Sequence, residues 1–100
     1  MQVIGSFRVA ADHPSLPGHF PDRPIVPGVV LLDEVVALIL VALAARSAVG
    51  LPAVKFIRPV LPEQVVTVSC GEASAGRVAF IGAVASQVVL RGSVQLGAVT

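Results

Sequence analysis

"GHFPDRPIVPGVVLLDEVVALILVALAAR" occupies residues 18–46. Its two halves obey different rules. In the first, proline recurs at every third position, as Pro21, Pro24 and Pro27. Proline fixes φ and lacks an N–H, so this density excludes a helix or an inner strand. In the second half, Val29 to Arg46 contain neither Gly nor Pro, and the run is too long for a strand. It is read as a helix that starts after Pro27-Gly28 and runs to Arg46, with "SAVG" (47–50) as its end. Only Asp33 and Glu34 interrupt its apolar surface before Arg46. Such a helix is expected to be buried on nearly every side, and its valines need tertiary packing to stay helical.

Outward from this stretch, the chain turns to β-structure. "QVIGSFRVA" (2–10) precedes the proline loop and reads as a strand. Four more segments follow the helix, at 53–61, 64–74, 77–86 and 88–99, all rich in β-branched residues. Turn signals at Pro62-Glu63, at 74–76 and, more weakly, near Ser86-Gln87 separate them. In "KFIRPV", alternation assigns Lys55, Ile57 and Pro59 to one face and Phe56, Arg58 and Val60 to the other. Val78, Phe80, Gly82 and Val84 are expected to share a face. One helix and one antiparallel sheet of about five strands make an α+β chain, a sheet curled around a central helix. At 100 residues, with no repeat and no linker, residues 1–100 are expected to form one domain.

The composition adds a constraint. Hydrophobic residues make up 55% and charged residues only 13% of the chain, about half the usual charged share of about 25%. So little charge implies apolar surface covered by another subunit or lining a pocket. The formal net charge of +1 and the scattered basic residues give no polyanion-binding field, so no nucleic acid is expected as a partner. The apolar run Val35–Ala45 falls short of the roughly 20 residues that span a bilayer, and two acids precede it, so no membrane insertion is expected. One cysteine, Cys70, excludes an internal disulfide and a cysteine-based metal cluster. The N-terminus lacks the basic opening and apolar run of a signal peptide, so a cytoplasmic location is expected.

With so few ionisable groups, candidates for chemistry are few. His19 lies in the stiff loop; His13, before Pro14, is assigned a structural role. Asp33 and Glu34 lie about 100° apart around a helix, so only one of them is expected to face a given pocket. A histidine and a carboxylate beside an apolar cavity can act as a base–acid pair, and enclosure by Val and Leu favours a carboxyl that holds its proton. Gly28, at the helix start, leaves backbone N–H groups free to meet a carbonyl oxygen as it gains negative charge. No metal-ligand spacing is present. Each feature also has a bland reading: a turn histidine, acids that favour the helix dipole, and a Pro-Gly step that only starts a helix.

Residues 16–35, "LPGHFPDRPIVPGVVLLDEV", closely resemble the active-site signature of the 3-hydroxyacyl-[acyl carrier protein] dehydratases. "VKFIRPVLPEQVVTV" (54–68) resembles the segment after the helix in the same enzymes. The resemblance implies a hotdog fold, an antiparallel β-sheet wrapped around one long central helix. It also implies a homodimer with two active sites at the interface, each taking its histidine from one subunit and its carboxylate from the other. It assigns catalytic roles to His19, Asp33 and Gly28, and substrate contacts to Phe20, Pro27, Val29 and Leu32. The activity implied is dehydration of a (3R)-3-hydroxyacyl thioester to the trans-2-enoyl thioester, in fatty-acid or related polyene or polyketide synthesis. A hotdog thioesterase and a non-catalytic acyl-binding protein are the alternatives. The substrate would ride on the phosphopantetheine of acyl carrier protein, with no cofactor bound by the enzyme itself. Arg23, Lys55, Arg58 and Arg91 are the expected docking residues for that acidic carrier. Two departures stand out: Val29 occupies a position where the isomerising branch commonly has Cys, and Glu63-Gln64 replaces a common Gly-Asp.

Overall fold

The computed structural model describes residues 1–14, 25–45 and 47–97. In chain order these form β1 (Gln2–Arg8), α1 (Gly28–Ala42), β2 (Ala48–Phe56), β3 (Val65–Cys70), β4 (Arg77–Val84) and β5 (Gln87–Leu96). The strands make one sheet in the order β1-β3-β4-β5-β2, antiparallel at every pairing. β1 and β2 are its edges.

Alternation decides which face is apolar. Val66, Val68 and Cys70 of β3, Val78 and Phe80 of β4, and Leu90 and Val94 of β5 are all buried. They meet Val30, Leu31, Val35 and Ile39 of α1 in one core. Gly82 completes the expected β4 face with Val78 and Phe80, while Val84 is only half-buried. Two tight turns use left-handed backbone. Ala75 and Gly76 (φ 52° and 78°) turn the chain into β4, and Ala85 and Ser86 (φ 48° and 68°) join β4 to β5.

The structure corrects three expectations. The helix stops at Ala42, not Arg46. Ala44 takes φ 52°, its N–H donates to the Val41 carbonyl at 3.3 Å, and the Ala45 N–H donates to the Leu40 carbonyl at 3.0 Å. That is a Schellman ending built on alanine instead of glycine.

The second strand runs over Ala48–Phe56 and not 53–61. Beyond Phe56, the N–H groups of Ile57 and Arg58 both donate to the Val89 carbonyl, at 2.8 and 3.2 Å. Two successive donors on one acceptor end the alternation expected for "KFIRPV".

The helix is also not buried all round. Val29, Asp33, Ala37 and Val41 follow each other at four-residue spacing along one exposed face, with Val29 66% and Val41 82% exposed. Beside this face lies the open edge of β2, where Val49 is 68% and Leu51 42% exposed.

Candidate functional site

The helix start is held from both sides. Pro27 caps it in extended backbone, φ −59° and ψ 142°, and its carbonyl accepts the N–H groups of Val30 at 3.0 Å and Leu31 at 3.3 Å. No side chain caps the end. Just upstream, the Val26 N–H donates to the Val60 carbonyl at 2.8 Å, and both residues are buried. Gly28 therefore stands at a fixed place, on the wall of a cavity of about 330 Å³. Ile25, Leu31, Phe56, Ile57 and Arg58 share that wall.

Gly28 is glycine for a reason visible here. A Cβ at this position would lie 2.6 Å from Phe56 Cζ, closer than a real Cβ contact. The glycine makes room for an aromatic ring arriving from the end of β2. The sequence alone gave no signal of this contact, because the two residues meet only through the fold.

Asp33 lies in a different hollow. It lines a groove of about 310 Å³ with Leu32, Val36, Ala48, Val49 and Leu51, between α1 and the edge of β2. Glu34 does not line this groove, so the two neighbouring acids are separated as their helical geometry requires. Asp33 is exposed in the single chain, so the apolar enclosure expected for it is not supplied by the chain's described residues. Leu32 is half-buried beside it, Pro27 is half-buried at the cap, and Val29 points to solvent. One chain thus presents Gly28 and Asp33 in two separate hollows and does not bring them together.

His19 and Phe20 lie outside the described residues, as does Arg23. Of the other proposed docking cations, Arg58 lines the Gly28 cavity. Lys55 and Arg91 are direct cross-strand neighbours on the opposite face of the sheet. Among the described residues, no cluster of His, Cys, Asp and Glu could hold a metal ion. No described helix is long and apolar enough to cross a membrane.

One residue of the surrounding framework was missed by sequence reasoning. Glu63 accepts hydrogen bonds from Arg8 Nη1 at 2.7 Å and from the Ala11 N–H at 2.8 Å. Its own N–H donates to the Val9 carbonyl at 2.8 Å. It fastens the end of β1 to the turn before β3. The replacement of the common Gly-Asp was the available signal.

Comparison with known proteins converges on one family. A family profile described as ApeI-like, ApeI dehydratase, matches residues 1–93. The chain is 36% identical over 69 residues to the 3-hydroxyacyl-[acyl-carrier-protein] dehydratase FabZ of Desulforamulus reducens, covering 61% of this chain and 49% of that protein. It is 40% identical over 72 residues to the FabZ of Natranaerobius thermophilus, covering 64% and 51%. The chain therefore spans about half the length of these curated relatives. Among solved structures, it is similar to a chain of the dehydratase heterocomplex ApeI:P from Xenorhabdus doucetiae, with TM-score 0.80 and 23% identity over 93% of this chain and 84% of that one. An uncharacterised protein from Erwinia carotovora subsp. atroseptica gives TM-score 0.79 and 23% identity over 94% and 81%. These two likenesses establish the fold, an antiparallel sheet with one helix; the profile match over nearly the whole sequence establishes the lineage. The chain belongs to the ApeI-like dehydratase family.

Proposed function

We propose that the chain is a 3-hydroxyacyl-[acyl carrier protein] dehydratase, acting as a homodimer of single-domain hotdog subunits (residues 1–100) whose sheets wrap their central helices. The observation that carries this reading is Gly28 at the helix start, on the wall of an apolar cavity, in a chain matched over residues 1–93 by a dehydratase family. In the proposed reaction, His19 removes the α-proton of a (3R)-3-hydroxyacyl thioester. The negative charge that develops on the thioester oxygen is met by the Gly28 N–H, where the positive end of the helix dipole adds to the hydrogen bond. Asp33 of the partner subunit gives a proton to the 3-hydroxyl, which leaves as water, and a trans-2-enoyl thioester remains.

The division of the site between subunits is supported by two features. Gly28 and Asp33 line separate hollows of one chain. Asp33 also sits in an exposed apolar strip formed by Val29 and Val41 of α1 and by Val49 and Leu51 of β2. A second copy laid against the β2 edge would cover that strip and enclose the carboxyl. Phe20, Pro27, Val29 and Leu32 are assigned to the walls around the acyl chain. The enzyme binds no cofactor of its own in this reading; the substrate arrives on the phosphopantetheine of an acidic acyl carrier protein. Arg58 at the cavity receives the carrier in this reading; Arg23 is proposed beside it from the resemblance, and Lys55 and Arg91, on the opposite face of the sheet, would form a separate contact. The setting is cytoplasmic fatty-acid synthesis or a related polyene or polyketide pathway.

The test is a single incubation with a 3-hydroxyacyl thioester on carrier protein, following enoyl absorbance and free thiol together. Enoyl product without thiol is expected. Thiol release would instead indicate a thioesterase, and silence in both channels a binding protein. Mixing His19→Ala with Asp33→Ala subunits should restore part of the activity, because one of the two active sites of the mixed dimer then carries both intact residues. No recovery from folded, mixed dimers would refute the shared site.

A further inference from the structure

The Gly28 cavity contains its own competitor. A Cβ on Gly28 would lie 2.6 Å from Phe56 Cζ and 3.1 Å from both Cε1 and Cε2. Equal distances to the two ε carbons mean that the ring points tip-first at the first residue of α1. The ring tip fills the space beside the Gly28 Cα, which adjoins the place of a carbonyl oxygen that accepts the Gly28 N–H. A thioester head that flanks that oxygen on this side meets the ring.

The surroundings make the ring the movable part. On one side of the cavity, the backbone after Phe56 is pinned by the Ile57 and Arg58 N–H groups on the Val89 carbonyl. On the other, the segment before α1 is pinned by Val26 on the Val60 carbonyl. Phe56 itself is the last residue of β2 and is 49% exposed in the single chain, at the opposite end of the strand from Val49 and Leu51, which the second copy is proposed to cover. Rotation about χ1 moves the ring off Gly28 without breaking a backbone hydrogen bond.

We propose that Phe56 sets the affinity and selectivity of this site: its ring and the head of an acyl-pantetheine thioester compete for the space over Gly28. The ligand class rests on the function proposed above. The consequence is a population effect. A ligand that binds only the ring-out state shows an apparent Kd raised by the inverse of that state's population. The free volume left after rotation also limits bulk next to the thioester carbonyl, so substituents on the α-carbon are the ones discriminated.

The chain contains no Trp and no Tyr, so Phe56→Trp creates a single fluorophore at the point of competition. The probe is an S-(2-oxoalkyl)pantetheine thioether, which keeps the carbonyl and the pantetheine arm but cannot dehydrate or hydrolyse. Saturating probe should shift the Trp emission to the red as the ring moves toward water. By calorimetry, Phe56→Ala should bind the straight-chain probe about tenfold more tightly than wild type if the ring packs on Gly28 ten times for each time it is out. The preference for straight over α-methyl probe should fall with it. Phe56→Leu provides the same comparison if the alanine variant loses its far-UV circular dichroism. Weaker binding after truncation, or unchanged Trp emission at saturation, would overturn the competition and make Phe56 a plain wall residue. A wild-type protein that fails to bind the probe would overturn the ligand assignment as well, which separates the two failures.

Discussion

Replacing Glu63 by glycine should harm the protein less than replacing it by alanine, the reverse of the usual order. Glu63 holds φ 71° in the turn where the Gln64 N–H returns to the Leu61 carbonyl at 3.3 Å. A left-handed backbone costs an L-residue about 1–2 kcal/mol, and glycine largely escapes that cost. The side chain compensates through its bonds to Arg8 and to the Ala11 N–H. The ion pair is 60% and 47% exposed on its two sides, so it contributes at most about 1 kcal/mol. The hydrogen bond to Ala11 adds about another 1 kcal/mol. Glu63→Ala loses both contacts and keeps the strain, a net loss of about 1–2 kcal/mol. Glu63→Gly loses the same contacts but relieves the strain, less about 0.5–1 kcal/mol for the extra freedom of glycine in the unfolded chain. The difference should be about 0.5–1 kcal/mol in favour of glycine. Urea unfolding followed by far-UV circular dichroism, at fixed protein concentration, should therefore place the glycine variant's midpoint about 0.2–1 M above the alanine variant's. Equal midpoints, or a lower one for glycine, would refute the claim that the backbone is strained there and that the carboxylate offsets it.

Three further outcomes follow from the same geometry. Ala44→Gly should raise stability by about 0.5–1 kcal/mol, since Ala44 ends the helix at φ 52°; a melting temperature at or below wild type would count against this ending. Gly92→Ala should cost about 2–3 kcal/mol or prevent folding, because the new methyl meets the Ala53 carbonyl oxygen and comes within 3.0 Å of Val54 Cα, and backbone cannot give as a side chain tip can. A urea midpoint within error of wild type would show that β2 and β5 do not approach so closely. Leu51→Lys places a charge on the exposed edge of β2 and should drive the sedimentation coefficient toward that of a single chain. An unchanged coefficient would move the proposed interface elsewhere.

The sequence and the fold agree where one physical signal dominates. Val78 and Phe80 were legible as an inward face because alternation has a single period and a single consequence. Pro27-Gly28 was legible as a helix start because proline fits the first turn and cannot sit deeper. Ends governed by weaker signals were not legible. No glycine marks the stop at Ala42; alanine takes the left-handed position instead. Gly50 and Pro52 interrupt the pattern of β2, so its first half, from Ala48, looked like the close of the helix. In the site, helical geometry required Asp33 and Glu34 to diverge, and the resemblance alone chose between them; of the two, Asp33 is the one that lines the groove between α1 and β2. The contact of Phe56 with Gly28 carries no local signal at all, since it depends on where β2 ends against α1.

The exposed strip beside Asp33 has consequences for assembly that do not depend on the chemistry. An edge strand with a row of unpaired backbone groups invites pairing with another chain, and proteins usually blunt such edges with lysine, proline or short length. β2 is nine residues long and carries one proline, Pro52, and one lysine, Lys55, both toward its second half. Its first half, from Ala48 to Leu51, presents aliphatic residues, and the neighbouring helix face adds Val29, Ala37 and Val41. An edge left apolar over that length, next to an apolar helix face, is either an aggregation hazard or an interface. Charge is sparse, at 13% of residues, which favours covering this strip over solvating it. Pairing across β2, as proposed above, would resolve the hazard and would bring apolar cover to the one acid in the groove. The feature that threatens the isolated chain is thus the feature that would complete its site.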